Sequence, residues 1–183
     1  MIVMTHDAAS RSQCPPPPDR RPQGALRQSD GSVLWRVWAP RSDGVSLVLL
    51  AGGKREEIPM DREGYGFYTH RRQNVAAGAR YAYKLEDGGE YPDPLSRWQP
   101  DGVHRPSAVF FPDDHSWSDS NWKGVAREDL VIYELHVGTF TPEGTFDAIV
   151  PRLPQLLELG VTAIEIMPVA QFAGRRNWGY DGV

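Results

Sequence analysis

Two patterns of apolar spacing divide this chain. From about residue 24 to residue 111 apolar side chains recur at every second position. In SVLWRVWAP, Val33, Trp35 and Val37 alternate with Leu34, Arg36 and Trp38; in GVSLVLLAGG, Val45, Leu47 and Leu49 share one face. In ARYAYKLEDGGEY, Tyr81, Tyr83 and Leu85 alternate with Ala82, Lys84 and Glu86. A residue period of two places alternate side chains on opposite faces of a strand, so these stretches read as half-buried strands. Turn signals at Ser42-Asp43-Gly44, Gly52-Gly53, Glu63-Gly64 and Asp87-Gly88-Gly89 punctuate them at short intervals, the last as a hairpin. The region therefore reads as an antiparallel β-sandwich, with Trp35 in its core and Trp38 on the opposite face of the same strand.

After a connector rich in Pro, Asp, Ser and Trp (FPDDHSWSDSNWKGVARED) the pattern changes. DLVIYELHV and VTAIEIMPV are nearly continuous apolar runs, the mark of strands buried on both faces. Between them, Phe146, Ile149, Val150, Leu153, Leu156 and Leu157 fall at helical spacing, with Thr145 placed to cap the start and Gly160 the end. Pro151 and Pro154 lie inside that pattern, and an interior proline removes a hydrogen bond and clashes with the preceding turn at about 3 kcal/mol. A kinked or two-part helix follows. The order is βαβ, which a right-handed crossover folds into two parallel strands whose C-terminal loops open on one side.

Composition narrows the setting. Residues 1–23, centred on RSQCPPPPDRRPQ, lack core formers and read as a disordered Pro-rich tail. Residues 24–111 form the sandwich, 112–128 the connector and 129–183 the parallel unit. A net charge of -4 with dispersed Arg and Lys carries no basic stripe of the kind nucleic acid selects. No apolar run approaches the roughly 20 residues of a membrane helix, and the start has no secretory signal pattern. The single cysteine, Cys14, cannot form an internal disulfide, consistent with a reducing, cytoplasmic setting. Neither nucleic acid nor membrane is an expected partner, and oligomeric state is left open.

Candidate chemistry concentrates on the two loops at the strand ends. The first is GTFTPEGT; the second, AQFAGRRNWGYDGV, holds Phe172, Trp178 and Tyr180 with Arg175, Arg176, Asn177 and Asp181. Aromatic faces cover the C–H face of a pyranose while charged and amide groups take its hydroxyls, so this loop suits a sugar. Packing against a neighbouring loop is an equal reading for Trp178, and a hydrogen-bonded structural role is the commoner one for His136. Glu134 and Glu165 lie within the strands and could face either way. Glycoside hydrolysis needs two opposed carboxyl groups; the sequence offers no such pair on independent strand ends, no nucleophile elbow, no Walker loop and no His/Cys ligand cluster. No catalytic residue, metal ligand or cofactor site is assigned.

Three segments in order, VIYELHVGTFTPEGTF, LPQLLELGVTAIEIMPVAQF and NWGYDGV, resemble the opening of the catalytic barrel in the α-amylase superfamily of glycoside hydrolases. WRVWAPRSDGVSLVL resembles the start of the β-sandwich module preceding that barrel in glycogen-branching, debranching and trehalose-releasing members, and YPDPLSRWQPDGVHRPSAVF is most similar to the trehalose-releasing ones, with Arg105 where they commonly carry Gly. The resemblance implies a multi-domain chain: an all-β immunoglobulin-like sandwich, resembling a carbohydrate-binding module, followed by the first βαβ unit of a truncated (β/α)8 TIM barrel. It implies a malto-oligosaccharide or malto-oligosyltrehalose substrate, cleaved at the α-1,4 bond beside the trehalosyl end. It also places the nucleophile, acid/base and stabilising carboxylates on later strands, so that this chain alone would be inactive. Tyr180 matches the family's sugar-stacking aromatic, and Trp178 and Asp181 share its loop. A branching or debranching enzyme fragment, or a non-catalytic carbohydrate-binding module, are the alternatives.

Overall fold

The structure, a computed structural model, describes residues 22–180 and residue 182. The expected tail, Cys14 included, lies almost wholly outside the described residues, as does Asp181. Two compact units meet between Asp114 and His115.

The first unit is all β. One sheet runs in the order β1-β2-β6-β5 and contains β1 (Gly24–Arg27), β2 (Val33–Trp38), β5 (Asp61–Arg62) and β6 (Phe67–Arg72). The other runs β4-β3-β7-β8, with β3 (Val45–Ala51), β4 (Lys54–Pro59), β7 (Arg80–Leu85) and β8 (Glu90–Tyr91), and β9 (Ser107–Ala108) also pairs with β7. All pairings in both sheets are antiparallel. The alternation read from β2 decides the packing: Val33 and Trp35 are fully buried, whereas Trp38 is 45% exposed. Val45, Leu47 and Leu49 of β3 and Tyr81 and Tyr83 of β7 supply the facing layer, and Met60, Tyr68, Val109 and Phe111 complete one core. The Trp35 ring lies at its centre, 6.0 Å from Tyr81 edge-on and 6.3 Å from His70.

Beneath that core sits a buried carboxylate. Asp93 Oδ2 accepts from the Tyr81 hydroxyl at 2.6 Å and the Tyr83 hydroxyl at 3.4 Å, and Oδ1 accepts from the Leu95 N–H at 2.9 Å. Burial raises the Asp93 pKa above the ordinary carboxylate value, although these hydrogen bonds pull the other way, and burial raises both tyrosines as well.

Strand β4, KREEIP, has no apolar alternation and escapes a sequence reading; it is an edge strand held by pairing to β3. Gly52 and Gly53 at φ 58° and 73° close that hairpin in the doubly left-handed turn that suits strand twist. On the outer face of this sheet Lys84 bonds Glu57 at 2.9 Å, and Arg55 pairs with Glu90 and Glu57. Arg72 of β6 binds Glu56 of β4 at 2.7 Å, joining the two sheets at their edge.

The β5–β6 connection is tightly clamped. Gly66 has φ 82°, and a Cβ there would lie 2.5 Å from Pro40 Cα and 2.7 Å from Pro40 Cβ. Its carbonyl also accepts from Ala39 N–H at 2.9 Å. Gly66→Ala is therefore expected to lower stability by about 2 kcal/mol, the sum of left-handed strain and overpacking. A urea midpoint matching the parent would refute that expectation.

The second unit pairs β10 (Ile132–Leu135) with β11 (Ala163–Ile166) in parallel. Helical segments join them: α1 (Val137–Phe140), α2 (Phe146–Ile149), a 3-10 turn over Val150–Arg152, and α3 (Leu153–Glu158). The helix is broken as its prolines require: Pro151 falls in the 3-10 turn and Pro154 in the first turn of α3. Thr145 Oγ1 accepts from Ala148 N–H at 3.3 Å, and Gly160 at φ 85° ends the helix, with Val161 N–H returning to Leu156 O. The register sets Glu134 directly opposite Glu165, and both are exposed.

Candidate functional site: the loops after the parallel strands

The first loop is partly helical where the sequence reads only loop. Thr139 and Phe140 N–H groups both donate to His136 O, at 3.1 and 3.0 Å, so the chain turns directly into α1. The Phe140 ring then meets Tyr133 edge-on at 6.1 Å. Gly144, at φ 64°, closes the loop against Gly138: a Cβ on Gly144 would lie 3.1 Å from Gly138 O.

The second loop turns on Gly179. Its N–H donates to Asn177 Oδ1 at 2.7 Å, an Asx turn, and its φ is 103°. A Cβ at Gly179 would lie 2.5 Å from Met167 Cε and 3.4 Å from His136 Cδ2, so this glycine permits a close approach to the end of β11 and to the residue after β10. The structure thus brings the two strand-end loops together at His136, Met167 and Gly179. On either side of that buried glycine, Trp178 is 87% exposed and Tyr180 70% exposed. The conformation presents two wide aromatic surfaces from a pinned backbone.

His136 is a residue whose detail the sequence could not supply. Its Nδ1 is buried with no hydrogen-bond partner among the described residues, and its ring folds back over Gly138, 3.0 Å from the position of a Cβ there. A buried acceptor or donor in this state is stabilised once a hydrogen-bonding group reaches it. Glu134 and Glu165, by contrast, sit side by side within the strands. Among the described residues no group of three His, Cys, Asp or Glu side chains could hold a metal ion, and no helix is long and apolar enough to cross a membrane.

Comparison with known proteins assigns the surroundings. Residues 22–98 match carbohydrate-binding module 48, the isoamylase N-terminal domain, a match lying wholly within the first unit. A malto-oligosyltrehalose trehalohydrolase of Saccharolobus solfataricus is 52% identical over 160 residues, covering 87% of this chain and 28% of that enzyme. A second malto-oligosyltrehalose trehalohydrolase, from Rhizobium sp. strain M-11, is 44% identical over 172 residues, covering 89% of this chain and 28% of that enzyme. The trehalohydrolase match is too long for the sandwich alone and runs through both units. A crystal structure from Salmonella typhimurium described as an alpha amylase superposes with a TM-score of 0.81 at 47% identity, over 88% of this chain and 27% of that one. The 1,4-alpha-glucan branching enzyme GlgB of Corynebacterium jeikeium is 29% identical over 164 residues, covering 83% of this chain and 23% of its own length. The chain thus spans about a quarter of the length of the relatives it matches.

Proposed function

We propose that this chain forms the N-terminal part of an enzyme that hydrolyses the α-1,4-glucosidic bond beside the trehalosyl end of malto-oligosyltrehalose and releases trehalose. The observation that carries the reading is the 52% match to a trehalohydrolase through both units, against 29% for a branching enzyme. The same continuity disfavours a free-standing binding module, whose match would stop with the sandwich. In this reading the sandwich is immunoglobulin-like and the parallel unit is the first βαβ of a (β/α)8 barrel. Supporting it, Ile132, Val150, Leu157 and Leu159 are all more than half exposed, apolar area that further barrel elements would cover.

Within the site, Tyr180 is the sugar platform, with Trp178 and Asp181 beside it. A ring held on a pinned turn gives stacking area at low entropic cost, which favours binding an oriented pyranose over reshaping around it. The carboxylate pair of a retaining double displacement is to be sought on later strands, since Glu134 and Glu165 are adjacent within the sheet and not held across a cleft.

A chimaera tests this. Residues 22–183 replace the equivalent segment of the Saccharolobus enzyme, and trehalose is measured from malto-oligosyltrehalose. The chimaera is expected to release trehalose and the 183-residue chain alone to release none. Tyr180→Ala in the chimaera should lower kcat/KM about tenfold or more, ~1.4 kcal/mol of transition-state binding. Trehalose from the short chain, an inert but folded chimaera, or an indifferent Tyr180→Ala would each contradict the reading.

A further inference from the structure

His136 follows β10 directly, and its backbone and its side chain serve different loops. Its carbonyl starts α1 by accepting from the Thr139 and Phe140 N–H groups, and the carbonyl before it, Leu135 O, accepts from Met167 N–H at 2.9 Å. The backbone at His136 is thus tied to the ends of both strands. From that fixed point the ring runs between two glycine turns. A Cβ on Gly138 would stand 3.0 Å from Cε1 and 3.4 Å from Nδ1, and one on Gly179 would stand 3.4 Å from Cδ2. Gly138 is itself backed by Gly144, whose own Cβ position lies 3.1 Å from Gly138 O.

Two features set this ring apart from ordinary packing. The gap it fills is bounded by glycine on either side, so a flat ring enters where a branched aliphatic chain would be too thick. Its Nδ1 is buried and bonds no described residue, a cost that an apolar side chain of equal size would not carry. Stability alone therefore does not select histidine here. What the ring does is hold a distance. Gly179 is buried against it and against Met167, at φ 103°, and the next residue is the exposed Tyr180. A displacement of the ring under Gly179 is carried by one peptide unit to the Tyr180 side chain.

We infer that His136 is a positioning residue: its imidazole is the spacer between the two strand-end loops, and it sets where the Gly179 turn, and with it the Tyr180 ring, stands against the sugar. The inference rests on the reading of Tyr180 as the sugar platform, and His136 acts only through that platform. Placement of a bound group enters the rate steeply, so a shifted platform costs activity even when every contacting residue is present.

Three variants separate a spacer from mere filling. His136→Asn keeps a planar group with atoms where Nδ1 and Cδ2 stand, the second of them against Gly179, whereas His136→Ala keeps neither. Gly138→Ala leaves the histidine in place and adds the methyl that presses on Cε1, at a helical residue where alanine is favoured. In the 183-residue chain, exchange of the Gly179 N–H, followed by NMR, should quicken about tenfold in His136→Ala and stay within about threefold of the parent in His136→Asn. In the chimaera, His136→Ala and Gly138→Ala should each lower kcat/KM about fivefold or more, and His136→Asn less than either. His136→Ala should cost little further once Tyr180→Ala is present, because nothing is then left for it to position. Parent-like Gly179 exchange in His136→Ala overturns the inference, as do equal losses for His136→Asn and His136→Ala, a Gly138→Ala chimaera as active as the parent, or losses from His136→Ala and Tyr180→Ala that multiply. A parent chimaera that releases no trehalose contradicts the proposed function instead, and the exchange rates then decide the spacer role by themselves.

Discussion

Trp35→Ala is expected to destabilise the sandwich by about 3–5 kcal/mol, the range for deleting a buried aromatic side chain. The ring is wholly buried, sits between Tyr81 and His70, and contacts strands of both sheets, so the cavity cannot close without moving them. For a domain of this size that is most of the usual stability, and the far-UV spectrum of the first unit should collapse well below the parent melting temperature. Trp35→Phe supplies the contrast. The indole Nε1 is buried with no hydrogen-bond partner among the described residues, so phenylalanine removes an unsatisfied donor as well as volume. Its cost should be about 1–2 kcal/mol. Equal losses for the two variants, both of which delete the N–H, would refute the expectation that the buried ring volume sets the energetics there.

Asp93→Ala should be of similar size, about 3 kcal/mol or more, because it leaves the Tyr81 and Tyr83 hydroxyls and the Leu95 N–H without their acceptor in a buried place. The pH dependence distinguishes this group from the surface carboxylates. Its pKa is raised in the folded state, so as pH falls the native chain takes up the proton before the unfolded chain does. Stability tied to Asp93 therefore increases as pH drops through its raised value toward the ordinary value of 3.8, and the charged form is the less favourable one above that window. Glu56, Glu57 and Asp101 behave oppositely: hydrogen bonds from Arg72, Lys84 and Arg80 lower their pKa values, and what they contribute is lost as pH falls through them. Comparing urea midpoints of the parent and Asp93→Asn between pH 7 and pH 4 isolates the difference. The parent should gain on the variant as the solution becomes more acidic. A constant gap across the range would mean the carboxyl titrates alike in both states.

Much of this architecture is written locally. Alternation through Val33, Trp35 and Val37 and through Tyr81 and Tyr83 is enough to specify inward faces, and Pro151 and Pro154 are enough to specify a broken helix. What escapes depends on partners far along the chain. Arg36 reads as an outward polar residue, yet it is 2% exposed, because Glu63 and the Phe67 ring accommodate it. Strand β4 carries no hydrophobic period, since an edge strand paired on one side can be charged on both faces. Asp93 sits in YPDPL, which reads as turn, and its three donors come from residues on β7 and the following loop. The candidate sugar loop shows the same division. Its residue types mark it as a candidate from sequence, whereas the role of Gly179 as the point of contact with Met167 and His136 required the fold.

The charged edge has a bearing on how the molecule is made. A ribosome delivers residues of the sandwich before those of the parallel unit, and the sandwich closes its own core from antiparallel neighbours and short hairpins. It can therefore fold while later segments are still being synthesised. During that interval β4 offers unpaired backbone to any neighbouring nascent chain. The charged Lys-Arg-Glu-Glu run along that edge would have to give up hydration for a second strand to pair there, which discourages strand pairing between copies. The unremarkable KREEIP stretch thus guards the interval in which a folded sandwich with an open edge is most exposed to its own siblings.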